Sequence, residues 1–131
     1  MTKEQNIRID YAADFLRRRG YLIVDSHATP IKSLARKVIH LVAWEEKSDT
    51  MVGVSVYGSP KPTPLALRRV GRLATKDAQA RFAILMRRWC QTNKWHGKQM
   101  IASCGVFGND DKPLIDFMWV KDTSPTKLTW C

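Results

Sequence analysis

The segments Val38-Ile39-His40-Leu41-Val42-Ala43-Trp44 and Met51-Val52-Gly53-Val54-Ser55-Val56-Tyr57 decide the fold class of this chain. Both are short apolar runs rich in β-branched residues, and the polar stretch Glu46-Lys47-Ser48-Asp49 separates them. Runs of this kind are typical of buried strands, and a short polar spacer is typical of a hairpin turn. The sequence therefore predicts two antiparallel strands, at about residues 38–45 and 51–57.

The sequence on either side of this hairpin predicts two main helices and three more strands. Apolar residues three or four positions apart indicate the helices, and Gly20 and Thr75 are suited to end and to cap them. The predicted helices are Ile7–Arg19, 75–93 and a shorter piece at 65–73. The additional strands are predicted at 21–25, 100–106 and 114–120. The residues after Lys121 show little pattern.

The resulting order of elements, α-β-β-β-α-β-β, predicts an α/β or α+β fold with a mixed central sheet flanked by helices. With 131 residues, 44% of them hydrophobic and 26% charged, the chain fits one globular domain over residues 1–131. Trp89 and Trp119 have apolar neighbours, so we predict both in the core.

The net charge is the clearest compositional signal. Lys and Arg number 22 against 12 Asp and Glu, which gives +10 at pH 7 and favours polyanionic partners such as nucleic acid. No apolar run is long enough to span a membrane, and the first ten residues lack a signal-peptide pattern. The three cysteines are widely spaced and predict no zinc site. We expect a cytoplasmic protein with no membrane partner.

The segment Phe15-Leu16-Arg17-Arg18-Arg19-Gly20-Tyr21-Leu22-Ile23, followed by the hairpin, resembles the opening of the YraN family. That family has a restriction-endonuclease-like core with distant similarity to Holliday-junction resolvases. Its two strands read Glu-Ile-Asp-Leu-Ile-Ala and Leu-Val-Phe-Val-Glu-Val-Lys, and in this chain segments 38–43 and 51–57 fall on them. The resemblance implies a restriction-endonuclease-like fold.

The polar residues of the family motif are replaced in this chain. His40 stands in place of the strand Asp, Ser55 in place of the Glu, and Tyr57 in place of the Lys. In an Asp…Glu-x-Lys nuclease the carboxylates hold Mg²⁺ and the Lys helps to position or activate the attacking water. The resemblance therefore implies a degenerate catalytic site, no bound metal or cofactor, and no enzymatic cleavage.

A relocated catalytic site is an alternative. Glu45-Glu46-Lys47 is a literal Glu-x-Lys at the end of a predicted strand, and Asp25 ends the strand before it. If Asp25, Glu45 and Lys47 converged, they could form a Mg²⁺- or Mn²⁺-dependent endonuclease site. The apolar frame of the hairpin instead favours an exposed turn for the Glu-x-Lys segment.

Clusters of basic residues on the predicted helices are candidates for binding nucleic acid. They are Arg17, Arg18, Arg19, Arg68, Arg69, Arg72, Lys76, Arg87 and Arg88. Side chains of this type neutralise phosphates without reading bases, which gives salt-dependent binding that tolerates any sequence. The alternative is that they form the solvated faces of amphipathic helices.

Our leading sequence-based hypothesis is a catalytically inactive, nuclease-fold protein that binds nucleic acid through a basic face. DNA is expected as the partner in preference to RNA, because of the nuclease-like frame. The relocated endonuclease is the second hypothesis. The third is a protein–protein adaptor or homodimer whose basic surface is incidental.

Overall fold

The computed structural model describes residues 3–27, 38–59, 76–108, 113–119 and 125–128. Two helices and six strands lie in this part of the chain. The helices are α1 (Lys3–Arg18) and α2 (Lys76–Thr92). The strands are β1 (Leu22–Asp25), β2 (Leu41–Glu45), β3 (Thr50–Ser59), β4 (Lys98–Phe107), β5 (Leu114–Trp119) and β6 (Pro125–Leu128).

The six strands form one mixed sheet in the order β1-β2-β3-β4-β5-β6. Neighbouring strands are antiparallel except for β3 and β4, which are parallel. A parallel pair needs a crossover connection, and α2 lies in the connection between β3 and β4. The prediction of an α/β fold with a mixed central sheet and helices beside it is confirmed.

Each apolar face of the sheet is covered by one helix, because side chains alternate between the two faces along every strand. The face under α1, here called the α1 face, includes Val52, Val54 and Val56 of β3. The opposite face, called the α2 face, packs against Phe82, Met86 and Trp89 of α2. Gly53 allows this close approach, since a Cβ at that position would lie only 2.6 Å from Met86 Sδ.

The end of α1 has the hydrogen bonds of a Schellman motif. Gly20 has a φ of 89°, its N–H donates to Arg17 O at 3.0 Å, and the N–H of Tyr21 donates to Leu16 O at 3.1 Å. Glycine adopts this left-handed conformation without the steric cost of a Cβ. The motif ends the helix at the predicted place and directs the chain into β1.

Most of the predicted elements agree with the structure. The predicted first helix, the five predicted strands and the 75–93 helix correspond to α1, β1–β5 and α2. The sequence did not predict β6. The helical piece predicted at 65–73 lies outside the described residues.

Within the described ranges, no helix is both long and apolar enough to cross a membrane.

Candidate functional site

His40 lies just before β2 and completes the pairing between β2 and β3. Its backbone N–H donates to Val54 O at 2.9 Å, and its Nδ1 accepts a hydrogen bond from the Val56 N–H at 2.8 Å. The ladder between β2 and β3 begins at the Leu41–Val54 pair. The imidazole therefore accepts the hydrogen bond of the Val56 N–H at a position where β2 supplies no backbone acceptor. A ring nitrogen that accepts carries no proton, which assigns the neutral Nε2–H tautomer to His40.

Two side chains of α1 cover the same edge of β3. The amide of Gln5 donates to Val56 O at 2.9 Å, so both backbone polar groups of Val56 are bonded to side chains. The Arg8 side chain packs against Gly58, and a Cβ at Gly58 would overlap it. A free strand edge can pair with another chain, and these contacts remove that opportunity at the end of β3.

Ser55 and Tyr57 lie one on each side of Val56 and point to the α2 face, opposite to the direction of Val54 and Val56. The Ser55 hydroxyl donates to the Tyr57 hydroxyl oxygen at 2.9 Å. His40, Ser55 and Tyr57, the three positions implied by the family motif, are thus gathered around Val56. We call these three residues the strand-end site.

More polar side chains continue from the strand-end site across β4 and β5. Ser103 pairs with Ser55, while Gly105 pairs with both Tyr57 and Asp116. Ser55, Ser103 and Asp116 are all buried. The Ser103 hydroxyl has no hydrogen-bond partner among the described residues. Ser103 and Asp116 could not be predicted from the sequence, because only the register of β3, β4 and β5 places them beside Ser55 and Tyr57.

The strand-end site is made of hydroxyl groups and a neutral imidazole. These groups donate and accept hydrogen bonds, but they lack the anionic oxygens that Mg²⁺ prefers. Among the described residues, no three His, Cys, Asp or Glu side chains are grouped so that they could hold a metal ion.

Asp25, Glu45 and Lys47, the proposed relocated site, are not brought together. Asp25 is buried, and its Oδ2 accepts a hydrogen bond from Trp89 Nε1 of α2 at 2.8 Å. Glu45 lies at the far end of β2, three positions beyond Val42, which is the partner of Asp25. Its side chain is on the α1 face, and Lys47 is exposed in the turn.

The predicted basic residues lie in two separate places. Arg17, Arg18 and Arg19 are exposed at the end of α1, while Arg87 and Arg88 are exposed on α2, on the opposite face of the sheet. They therefore do not form one continuous face. Lys76 is the first residue of α2, but its side chain and all of Arg68, Arg69 and Arg72 lie outside the described residues.

Two of the three arginines at the end of α1, Arg18 and Arg19, have local partners. Arg18 forms an ion pair with Asp14 at 3.6 Å, and both side chains are solvent-exposed. The guanidinium of Arg19 lies 3.6 Å from the centre of the Phe15 ring and donates to Phe15 O at 3.5 Å. Exposed pairs of this kind contribute about 0–1 kcal/mol. They nevertheless orient these side chains along the helix.

The outer surface of α2 carries arginines that lack such partners. Arg81, Arg87 and Arg88 are exposed, and none of the three forms an ion pair with another described residue. Ile84 lies between them and is 48% exposed. We call these four residues the α2 ridge. Of these four residues, only Arg87 and Arg88 are among the nucleic-acid-binding candidates predicted from the sequence.

Removing the His40 imidazole should destabilise the fold. We expect His40→Leu to lower the free energy of unfolding by about 2 kcal/mol, because the buried Val56 N–H loses its acceptor. His40→Asn should restore most of this loss, since its Oδ1 can occupy the place of Nδ1. Urea denaturation of the three proteins measures the difference. Equal losses in both variants would contradict the bond between His40 and Val56.

Compared with models of known protein families and with curated protein sequences, the chain matches none. The resemblance to the YraN family therefore stays a prediction.

Proposed function

We propose that this protein is a nuclease-fold, nucleic-acid-binding protein without metal-dependent cleavage, and that the α2 ridge contacts phosphates. The observation that carries the proposal is the α2 ridge itself. It exposes Arg81, Arg87 and Arg88 on one helix, with no ion-pair partner among the described residues. Guanidinium groups match phosphate oxygens in geometry and charge.

The spacing of the α2 ridge suits a phosphate backbone. Arg81 and Arg88 are seven residues apart, which is about two helical turns and roughly 10 Å along the axis. Two phosphates of one strand, or of two strands across a groove, can be reached at that separation. Since the contacts are to phosphates and not to base edges, the binding should tolerate any sequence.

The strand-end site supports the absence of cleavage. The His40 Nδ1 accepts a hydrogen bond from the Val56 N–H, and the Ser55 hydroxyl donates one to the Tyr57 hydroxyl. Neither side chain offers an anionic oxygen to Mg²⁺, and Tyr57 carries no positive charge at neutral pH. These side chains form hydrogen bonds with a buried backbone N–H and with each other, and such bonds stabilise the fold.

Fluorescence anisotropy with labelled single-stranded, duplex and four-way-junction DNA, and with RNA, tests the proposal across a range of salt concentrations. We expect affinity that falls steeply with salt. Replacing Arg87 and Arg88 by Gln should weaken binding to every nucleic acid and reduce the slope of log K against log salt by about 1–2.

The charge-matched control is Arg17→Gln with Arg18→Gln. It removes the same two charges from the net charge of +10, but on α1. We expect it to leave the salt slope close to that of the wild type. Equal effects of the two double variants would show that only overall charge matters. Absence of salt-sensitive binding to any of the nucleic acids would refute the proposal.

A further inference from the structure

Two tryptophans lie side by side where α2 ends. Trp44 belongs to β2, and Trp95 follows the last residue of α2 by three positions. Their rings meet edge to face, with centroids 6.2 Å apart and planes at 74°. Both side chains are only partly buried on the α2 face. In an edge-to-face contact one ring presents only its edge, so aromatic surface is left facing solvent. We call these two residues the tryptophan pair.

Contacts on the protein side hold both rings in place. Trp44 Nε1 donates to Asp49 Oδ1 at 3.3 Å, and Trp95 Nε1 donates to Lys98 O at 3.4 Å. Gly97 lets the Trp95 ring lie close to the backbone, since a Cβ at that position would be 2.7 Å from Trp95 Cζ2. Because both indole N–H groups already have acceptors, the exposed part of the pair offers stacking and not hydrogen bonds.

The apolar surface continues beside the tryptophan pair. The register of β1 and β2 places Leu22 opposite Trp44, so both side chains lie on the α2 face. Leu22 is 59% exposed, and among the described residues only Ile84 is another exposed large hydrophobic side chain. Exposed apolar side chains that adjoin one another indicate an interaction site, whereas scattered ones do not.

The end of α2 supplies positive charge to this surface. Lys94 directly precedes Trp95, and Arg88 lies about one turn before the end of α2; both are exposed. The acidic residues Glu46 and Asp49 lie in the turn between β2 and β3 instead. A partner chain with negative charges is therefore favoured along α2, with its apolar groups turned towards the tryptophan pair.

The backbone at Lys94 is strained. α2 ends in a Schellman motif, in which the Lys94 N–H donates to Gln91 O at 3.2 Å and the Trp95 N–H donates to Cys90 O at 2.7 Å. Lys94 has a φ of 58°, in the left-handed region that favours glycine, and Gly20 occupies the equivalent position after α1. Strain of this kind is concentrated at functional sites, which supports a role for the Lys94 charge.

We propose that the tryptophan pair stacks an unpaired base of single-stranded nucleic acid, while Lys94 and Arg88 contact its phosphates. This inference rests on the proposed function, and it narrows the partner to nucleic acid with unpaired bases. Duplex bases are stacked on one another and do not reach the pair. Every unpaired base has a free ring face, so the contact tolerates any sequence.

Fluorescence anisotropy with labelled oligothymidylate and with an abasic strand of the same length tests the proposal, because both strands carry the same phosphates and only one carries bases. We expect the wild type to bind oligothymidylate at least about fivefold more tightly than the abasic strand. Trp95→Leu should reduce this ratio to below about twofold and leave the affinity for the abasic strand unchanged. Lys94→Gly should weaken binding of both strands yet raise the thermal midpoint, because glycine adopts the left-handed conformation without strain.

Trp119→Leu is the matched control, because Trp119 is also partly buried but packs on the α1 face. It should keep the ratio of the wild type, and thermal unfolding verifies that each variant is folded. If the wild type bound neither strand, the proposed function would fail together with this inference. If it bound both strands equally, or if Trp119→Leu lowered the ratio as much as Trp95→Leu, only the stacking would be refuted.

Light scattering after size-exclusion chromatography covers the remaining possibility, a protein partner. A dimeric wild type that became monomeric in Trp95→Leu, with the ratio of affinities unchanged, would overturn the proposal and assign the apolar surface to a second copy of this chain.

Discussion

Replacing Trp89 by Phe is expected to lower the free energy of unfolding by about 3 kcal/mol. Trp89 is 1% exposed, and its Nε1 donates at 2.8 Å to Oδ2 of Asp25, which is also 1% exposed. Phe removes this buried hydrogen bond, and its smaller ring leaves a cavity where the indole was. Thermal and urea denaturation measure the loss.

Trp95→Phe provides the control for this experiment. The same donor atom is removed, but Trp95 is only partly buried and its Nε1 donates to Lys98 O at 3.4 Å. We expect it to cost less than about 1 kcal/mol, because water can replace a long, exposed bond. If the two variants lost the same stability, the bond between Trp89 and Asp25 would not contribute as proposed.

The bond between Trp89 and Asp25 also gives Asp25 a partner on α2, away from Glu45 and Lys47. It joins α2 to β1 across the α2 face, over a separation of 64 residues in the chain. An acidic residue at the end of a strand resembles a metal ligand in the sequence. In the structure the Asp25 carboxylate is buried and accepts a hydrogen bond from Trp89 Nε1.

The helices could be predicted because their periodic apolar residues determine how they pack. Phe82, Met86 and Trp89 recur three or four positions apart and are all buried on the α2 face. The strands of the hairpin could be predicted for a similar reason, since both faces of the central sheet are covered. Their sequences are therefore apolar throughout and not alternating.

The edge strand β6 could not be predicted in this way. The strand Pro125-Thr126-Lys127-Leu128 contains a proline and few apolar residues. An edge strand tolerates both, because one side of it needs no partner and proline can occupy its first position. Trp119 packs against the core as predicted, through its contact with Phe117, but its side chain is only partly buried.

The positions of the strand-end site were identified through the resemblance to the family motif, with which His40, Ser55 and Tyr57 align. The row of Glu45, Thr50 and Lys98 could not be predicted, because these residues are neighbours only in the register of three strands. That register depends on the parallel pairing of β3 with β4, which no local sequence pattern specifies.

Restoring the carboxylates of the motif should create a metal-dependent protein. In the variant His40→Asp, Ser55→Glu, Tyr57→Lys, we expect lower stability than the wild type in the presence of a chelator. Ser55 is 1% exposed, and a carboxylate at that depth is costly without a cation. Mn²⁺ at a hundred times its dissociation constant should then stabilise the variant by about 3 kcal/mol. The thermal midpoint of the wild type should not respond.

The amide version of this variant separates metal binding from changes in packing. His40→Asn, Ser55→Gln, Tyr57→Lys has nearly the same shape but no anionic oxygens. In both variants the new residue 40 offers an oxygen to the Val56 N–H where the imidazole Nδ1 now accepts it. Calorimetric unfolding with chelator and with Mn²⁺ compares them. If Mn²⁺ stabilised the carboxylate variant no more than the amide variant, positions 40 and 55 would not form a metal site. That result would also contradict the restriction-endonuclease-like interpretation of the hairpin.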